Sequence, residues 1–256
     1  MTVPRVVAIV QARCGSTRLQ GKVLRKLNGR AMLSHVLERA RAIPGVREVV
    51  VCTTAQPADD AVRLVARGLG LQALRTQRPL AGHPGKNDML AAYAEAAALT
   101  RAAVVVRLTA DCPLLDPDVA GAVLARFLAA PGLAYASNVH PPTWFDGCDV
   151  EVIAAGALRR AATEADRDER EHVTTHLWRR PETYPAANVV CPGGEDYSAL
   201  KLSVDTAADL VRVEAVLRRL ATPKTFGWRA TLDAHARAFP SPLLTRAIAI
   251  YSARPE

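Results

Sequence analysis

Three cations stand within ten residues of one another in "VQARCGSTRLQGKVL": Arg13, Arg18 and Lys22, with Gly15 and Ser16 between them. Guanidinium and ammonium groups spaced around small residues that leave backbone N–H groups uncovered offer an anion both charge and donors. A polyphosphate is the ligand this chemistry suits. The loop lacks the Gly-Lys-Ser/Thr ending of a P-loop and the Gly-x-Gly-x-x-Gly of a dinucleotide fold. Chance arginines in a solvated loop are the competing explanation on spacing alone.

Two aspartates supply the complementary chemistry. Asp111 follows the apolar run "AVVVRL", and Asp205 follows "LKLSV". Mg²⁺ takes one or two carboxylates together with substrate phosphates, so carboxylates at strand mouths near a cationic loop suit metal-assisted phosphoryl or nucleotidyl transfer. Helix capping is the plainer role for both. Asp116, followed by Pro117, reads as a helix N-cap with proline at the first helical position. Cys14 lies between Arg13 and Arg18, whose charge favours a thiolate.

The elements that must hold these residues follow from periodicity. "VVAIV" (Val6 to Val10), "EVVVCTT" (Glu48 to Thr54), Leu71 to Leu74 and "AVVVRL" (Ala103 to Leu108) are unbroken apolar runs of the kind buried on both faces of a parallel sheet. Between them, helical spacing runs through Met32–Ile43, from Pro57 to Gly68 or Gly70, through Met89–Leu99 and on from Pro117. Alternation of this kind predicts an α/β, Rossmann-like three-layer sandwich with a mostly parallel sheet. In such sheets ligands sit beyond the carboxyl ends of the strands, where the cationic loop begins. The later half breaks the alternation. "GLAYASNV" and "CDVEVI" read as strands, "REHVTTHLWRR" as a helix and "LKLSVDT" as a returning strand. One domain over residues 1–256 is expected, with residues 138–200 holding a small lid or dimerisation sub-domain.

Composition narrows the function. Half the residues are hydrophobic and 23% are charged, with a formal charge of +8. The basic residues are spread along the chain and only five of them are lysine, so no nucleic-acid partner is expected. Five cysteines without a Cys-x-x-Cys pair support neither a disulfide framework nor a zinc site. No apolar run approaches the roughly 18 residues of a membrane span, and no leader precedes the first strand. A cytoplasmic protein without a membrane partner is expected.

The motifs together resemble a known family. "ARCGSTRLQGK" matches the Ala-Arg-x-Gly-Ser-x-x-x-x-x-Lys signature of the cytidylyltransferases that make CMP-activated sugars, among them the CMP-sialate and CMP-3-deoxy-octulosonate synthetases. The chain is more similar still to the spore-coat polysaccharide (SpsF-type) branch, whose "VR-x-T-x-DCPL-x-DP", "DG-x-DVEV", "REHVT" and "K-x-SVDT-x-x-DL" follow in order between about residues 6 and 215. The resemblance implies CMP transfer from CTP to an acidic sugar or small phosphorylated acceptor, with release of pyrophosphate, in polysaccharide or surface-glycan precursor synthesis. It implies that Gln11, Ala12, Arg13, Gly15, Ser16, Arg18, Lys22 and Asp88 hold CTP and that Asp111 and Asp205 hold Mg²⁺. Arg13, Lys22, Asp111 and Asp205 would carry catalysis. Asp146, Asp149, Glu151, Arg170, Glu171 and His172 would line the acceptor side, with Asp149 or His172 a candidate base. A homodimer is also implied.

Gln20 replaces a usual proline, Ala110 a usual glycine, and Lys86 and Asn87 stand where the family has acids. His140, Trp144 and Phe145 could touch the acceptor or serve the core. Two other functions fit parts of the pattern. A nucleotide-sugar-dependent glycosyltransferase would show strand-end aspartates, though in an Asp-x-Asp pair that Asp111-Cys112-Pro113 is not. A non-catalytic nucleotide-binding regulator would need the loop but not both aspartates.

Overall fold

The computed structural model describes residues 4–220 and 226–240. Its strands are β1 (Val6–Gln11), β2 (Lys26–Leu27), β3 (Arg30–Ala31), β4 (Glu48–Thr54), β5 (Gln72–Gln77), β6 (Val104–Thr109), β7 (Tyr135–Ser137), β8 (Glu151–Ala154) and β9 (Ala186–Asn188). The helices are α1 (Met32–Arg41), α2 (Asp60–Gly68), α3 (Met89–Leu99), α4 (Pro117–Leu128), α5 (Ala155–Glu164), α6 (Thr175–Trp178), α7 (Ala207–Leu217) and α8 (Trp228–Ala238). Among the described residues the main sheet has the order β5-β4-β1-β6-β8-β7-β9, while β2 and β3 form a separate hairpin. β8 runs antiparallel to both its neighbours, and the other pairings of the main sheet are parallel.

Alternation along β1 shows how the layers form. Val6, Ala8 and Val10 face a core shared with α1, α2, α4 and α7, whereas Val7 and Ile9 face one shared with α3 and α5. Burial on both faces is what a continuous apolar run requires of a parallel strand. The mostly parallel Rossmann-like sandwich expected from the sequence is the fold observed. Trp144 and Phe145 are buried in the first of these cores. Residues 138–200 contribute β8 and β9 to the same sheet, with α5 and α6 between them.

The reversal of β8 matters for the cleft. Because it runs against β6, its first residue, Glu151, pairs with Arg107 near the end of β6. The "DGCD" turn before β8 is thereby delivered to the edge where the parallel strands end.

Two expected elements differ from their sequence pattern. The segment 170–180 is helical only over α6, after a single 3-10 turn at Arg167–Glu169. The Arg170 carbonyl accepts from the Leu90 N–H of α3, 2.9 Å away, in place of a helical donor four residues on. "LKLSVDT" is extended but forms no strand. Among the described residues its one bridge is Lys201 with Asp146, and the Val204 N–H donates to the Asp111 carbonyl at 2.9 Å. The segment therefore crosses the mouth of the sheet rather than joining it. No helix among the described residues is long and apolar enough to cross a membrane.

Gly147 makes that crossing possible. It has φ +118°, and a Cβ there would lie 2.8 Å from the Leu202 carbonyl carbon and 2.9 Å from the Ser203 nitrogen. Both the backbone angle and the contact exclude a side chain. Gly147→Ala is expected to lower stability by about 1–3 kcal/mol in denaturant unfolding. By pushing residues 202–203 outward it should also displace Asp205.

Candidate active site

The cationic loop leaves β1 and turns on its own backbone: the Ser16 and Gly21 N–H groups both donate to the Cys14 carbonyl, at 2.8 and 3.0 Å. Gly21 (φ 63°) closes the turn, and Lys22 opens the 3-10 turn Lys22–Leu24. Asp59, absent from the sequence-based site, anchors the loop from outside. Its carboxylate accepts from the Cys14 N–H at 2.6 Å and from the Thr54 hydroxyl. The expected Cys14 thiolate does not follow. Burial, and then the Asp59 carboxylate, push this thiol up to about 11.

Lys22 reaches across the sheet mouth. Its Nζ donates to Asp111 Oδ2 at 2.7 Å, to the Val204 carbonyl at 3.0 Å and to Asp205 Oδ1 at 3.0 Å, using all three ammonium protons. Asp205 is further held by Arg18 and Lys201, each at 2.7 Å, and Lys201 lies 3.5 Å from Asp146. Burial works against ionising Asp205, but Lys201 and Lys22 outweigh it and hold the carboxyl at about 2. Asp111 is likewise held below the usual range, its burial outweighed by Lys22. Neither aspartate is a helix cap. Thr206 and Asp209 cap α7 in a reciprocal box, and Asp116 caps α4.

A cleft of about 360 Å³ opens beside this knot, lined by the loop residues from Gln11 to Arg18 other than Cys14, by Lys22 and by Asp111. Gln77, Asn87, Glu171 and His172 also line it. Next to it lies a second cavity of about 480 Å³, sharing Arg107, Thr109 and His172 and adding His140, Asp149, Trp178 and Arg179. His140 stacks on Trp178, with ring centroids 4.6 Å apart.

The acceptor-side residues divide sharply. Asp149 lines the second cavity and makes no hydrogen bond or ion pair among the described residues; burial, then Asp146 and Glu151, raise its carboxyl to about 7. Glu151 is buried and satisfied by Tyr135 and Thr174, both at 2.6 Å, and by Arg107. Glu171 pairs with Lys86 at 2.7 Å, so one of the two altered positions before Asp88 finds its counter-charge here. Asp88 and Arg170 are not brought to the cleft. They pair with each other at 2.7 Å, and Asp88 also caps α3 through the Ala91 N–H, which leaves its carboxylate spent on structure.

Arg107 and Lys201 were missed as site residues although both lie inside quoted motifs. Arg107 is the wall between the two cavities. Burial disfavours its charge, but Glu151 outweighs this and raises its pKa. Its second nitrogen donates to Gln11 Oε1 at 3.4 Å. Arg179 carries no motif signal, and only packing places it at the second cavity.

The carboxylates of Asp111 and Asp205 meet on a single cation, which is the donor chemistry of a divalent-metal site. Among the described residues no three His, Cys, Asp or Glu side chains group to hold a metal unaided. The pair fits a Mg²⁺ ion that draws its remaining oxygens from a ligand and water.

Fold and cleft together define a Rossmann-like α/β protein whose strand mouths carry a phosphate-suited loop opposite paired carboxylates. A family model described as cytidylyltransferase matches residues 7–216, and the chain belongs to that family. It is 28% identical over 206 residues, 80% of each chain, to the uncharacterised protein MJ1063 of Methanocaldococcus jannaschii. A cytidylyltransferase from Leptospira borgpetersenii superposes with a TM-score of 0.82 at 24% identity over 99% of both chains. A CMP:2-keto-3-deoxy-manno-octonic acid synthetase complexed with CTP superposes with a TM-score of 0.61 at 20% identity, over 84% of this chain and 98% of that one.

The lone carboxylate has a thermodynamic signature. A folded-state value of about 7 against an ordinary 3.8 means the native protein holds a proton that the unfolded chain has lost. The contribution of Asp149 to stability therefore falls as pH rises from about 4 to 7, by at most about 4 kcal/mol, and stays low above that. Asp149→Asn should raise the melting temperature by several degrees at pH 8, and the gain should vanish near pH 4.

Proposed function

We propose that this chain is an SpsF-type, Mg²⁺-dependent cytidylyltransferase that transfers CMP from CTP to a small acidic sugar or phosphorylated acceptor and releases pyrophosphate. The observation that carries this reading is the convergence of Arg18 and Lys22 with Asp111 and Asp205 at one sheet edge. A non-catalytic binder has no use for a carboxylate pair held on one cation. The chemistry also suits surface-polysaccharide precursor synthesis, where acidic sugars are activated as nucleotides.

In this reading Arg13, Gly15, Ser16 and Arg18 take the triphosphate, with Gln11 and Ala12 at the floor of the cleft. Gly15 has open space where a Cβ would stand, so the phosphates can approach the loop backbone. Asp111 and Asp205 hold Mg²⁺, which when bound neutralises phosphate charge and aligns the α-phosphate. Arg13, Arg18 and Lys22 stabilise charge developing on the departing pyrophosphate. The acceptor occupies the second cavity with its nucleophilic oxygen toward Asp149; His172 lines that cavity, and Asp146 acts on it through its charge on Asp149. Asp149 is the base we favour over His172, because its carboxylate is uncommitted and changes charge near neutral pH. Residues 138–200 supply much of that cavity's wall and serve as lid or dimer contact, in a cytoplasmic homodimer.

Two measurements test this assignment. CTP with Mg²⁺ should raise the melting temperature more than ATP, GTP or UTP at equal concentration, since stabilisation follows ligand concentration over dissociation constant. Equal shifts for all four would show that only phosphates are read. For turnover, pyrophosphate release with CTP is screened over a panel of acidic sugars and small phosphates. Asp111→Asn and Asp205→Asn should each lower it on the order of a hundredfold or more, and the double variant should fall little further. Additive, small losses would assign the pair a structural role.

A further inference from the structure

The position where Asp111 and Asp205 could share a metal is held by a side chain of the protein. Lys22 Nζ lies 2.7 Å from one carboxylate and 3.0 Å from the other, with its third proton on the Val204 carbonyl. Mg²⁺ binds oxygen at about 2.0–2.1 Å, so an ammonium and a metal ion cannot both bridge these oxygens. Of these two carboxylates, Arg18 and Lys201 touch only Asp205. Lys22 is the cation that contacts both carboxylates.

Charge points the same way. Asp111, Asp205 and Asp146 are matched by Lys22, Arg18 and Lys201, so the three carboxylates of the knot are already balanced. A bare divalent ion would find its two carboxylate ligands already paired with cations. A triphosphate brings about four negative charges and the missing oxygens, and it offers the Lys22 ammonium a new partner a short swing away in the same cleft.

We infer that Lys22 is an exchangeable internal cation: it occupies the metal position in the empty protein and vacates it only when a triphosphate accepts its ammonium, so metal and nucleotide bind as one unit. This rests on the proposed metal role of Asp111 and Asp205. Lys22 thus changes partners during the cycle, from carboxylates to phosphate, and returns when the polyphosphate leaves. The arrangement also excludes a free metal ion from a cleft without substrate.

The test needs no turnover. Mn²⁺ serves as probe, with the free ion measured by electron paramagnetic resonance, with and without a CTP analogue carrying an α,β-methylene bridge. Wild type should bind Mn²⁺ alone at least tenfold more weakly than with the analogue. Lys22→Met keeps the length of the side chain without its charge, and should tighten binding of Mn²⁺ alone at least tenfold. Asp111→Asn added to Lys22→Met should abolish that gain, locating the ion. Equal Mn²⁺ affinity with and without analogue in wild type overturns the inference, and so does an unchanged affinity for Mn²⁺ alone in Lys22→Met. If the analogue gives wild type no thermal shift, the nucleotide reading fails by itself, and the comparison of Mn²⁺ alone across the variants still decides the exchange. Should Lys22→Met not fold, Lys22→Gln takes its place, and the wild-type comparison stands without either.

Discussion

A single ammonium group organises the charged end of this protein. Lys22 comes from the loop after β1, Asp111 from the turn after β6, and Val204 and Asp205 from the segment that crosses the sheet mouth; the three stretches meet on one Nζ. Its side chain is only 14% exposed, and desolvation alone would lower its pKa. The two carboxylates reverse that, and the lysine in turn keeps both of them ionised despite burial. Charge and position are therefore mutually dependent: none of the three groups would be cheap to bury alone.

Around this knot the protein separates satisfied charges from one that is not. Glu151, buried in the sheet, receives three donors and is held as a carboxylate. Asp88 and Arg170 neutralise each other while tying α3 to the turn before α6. Asp149 has no such partner, although it faces the same cavity as Glu151. An uncompensated carboxyl in a cavity wall costs stability, and that cost is a common mark of a group kept for chemistry. The contrast between Glu151 and Asp149, two residues apart and lining the same cavity at the start of β8, separates structural charge from available charge.

The sheet topology explains how both cavities share one edge. Parallel strands bring the loop after β1 and the turn after β6 to the same side, and the reversal of β8 brings the start of that strand there too. Arg107, paired with Glu151 across the β6–β8 ladder, becomes the common wall. A fully parallel sheet would have placed Asp149 at the opposite edge.

Much of this architecture was legible in the sequence because it depends on local patterns. Apolar runs bounded by turn residues marked the buried strands, since burial on both faces leaves no polar alternation. Asp116-Pro117 announced the start of α4, since capping geometry is set within a few residues. The cationic loop and the family motifs likewise singled out Lys22, Asp111 and Asp205. What no local pattern could carry was partnership. That Asp88 and Arg170 spend their charges on each other, that burial and Asp59 raise the Cys14 thiol, and that Glu151 is saturated while Asp149 is bare all depend on groups distant in the chain. The same holds for "LKLSVDT", whose strand-like composition yields a crossing segment because Asp111 and Asp146 capture its backbone donors. The sequence by itself determined which residue types reach the strand mouths, through periodicity and turn chemistry; tertiary structure decided which of those charges are neutralised and which remain available, because desolvation and Coulomb energies depend on distances that only the folded chain sets.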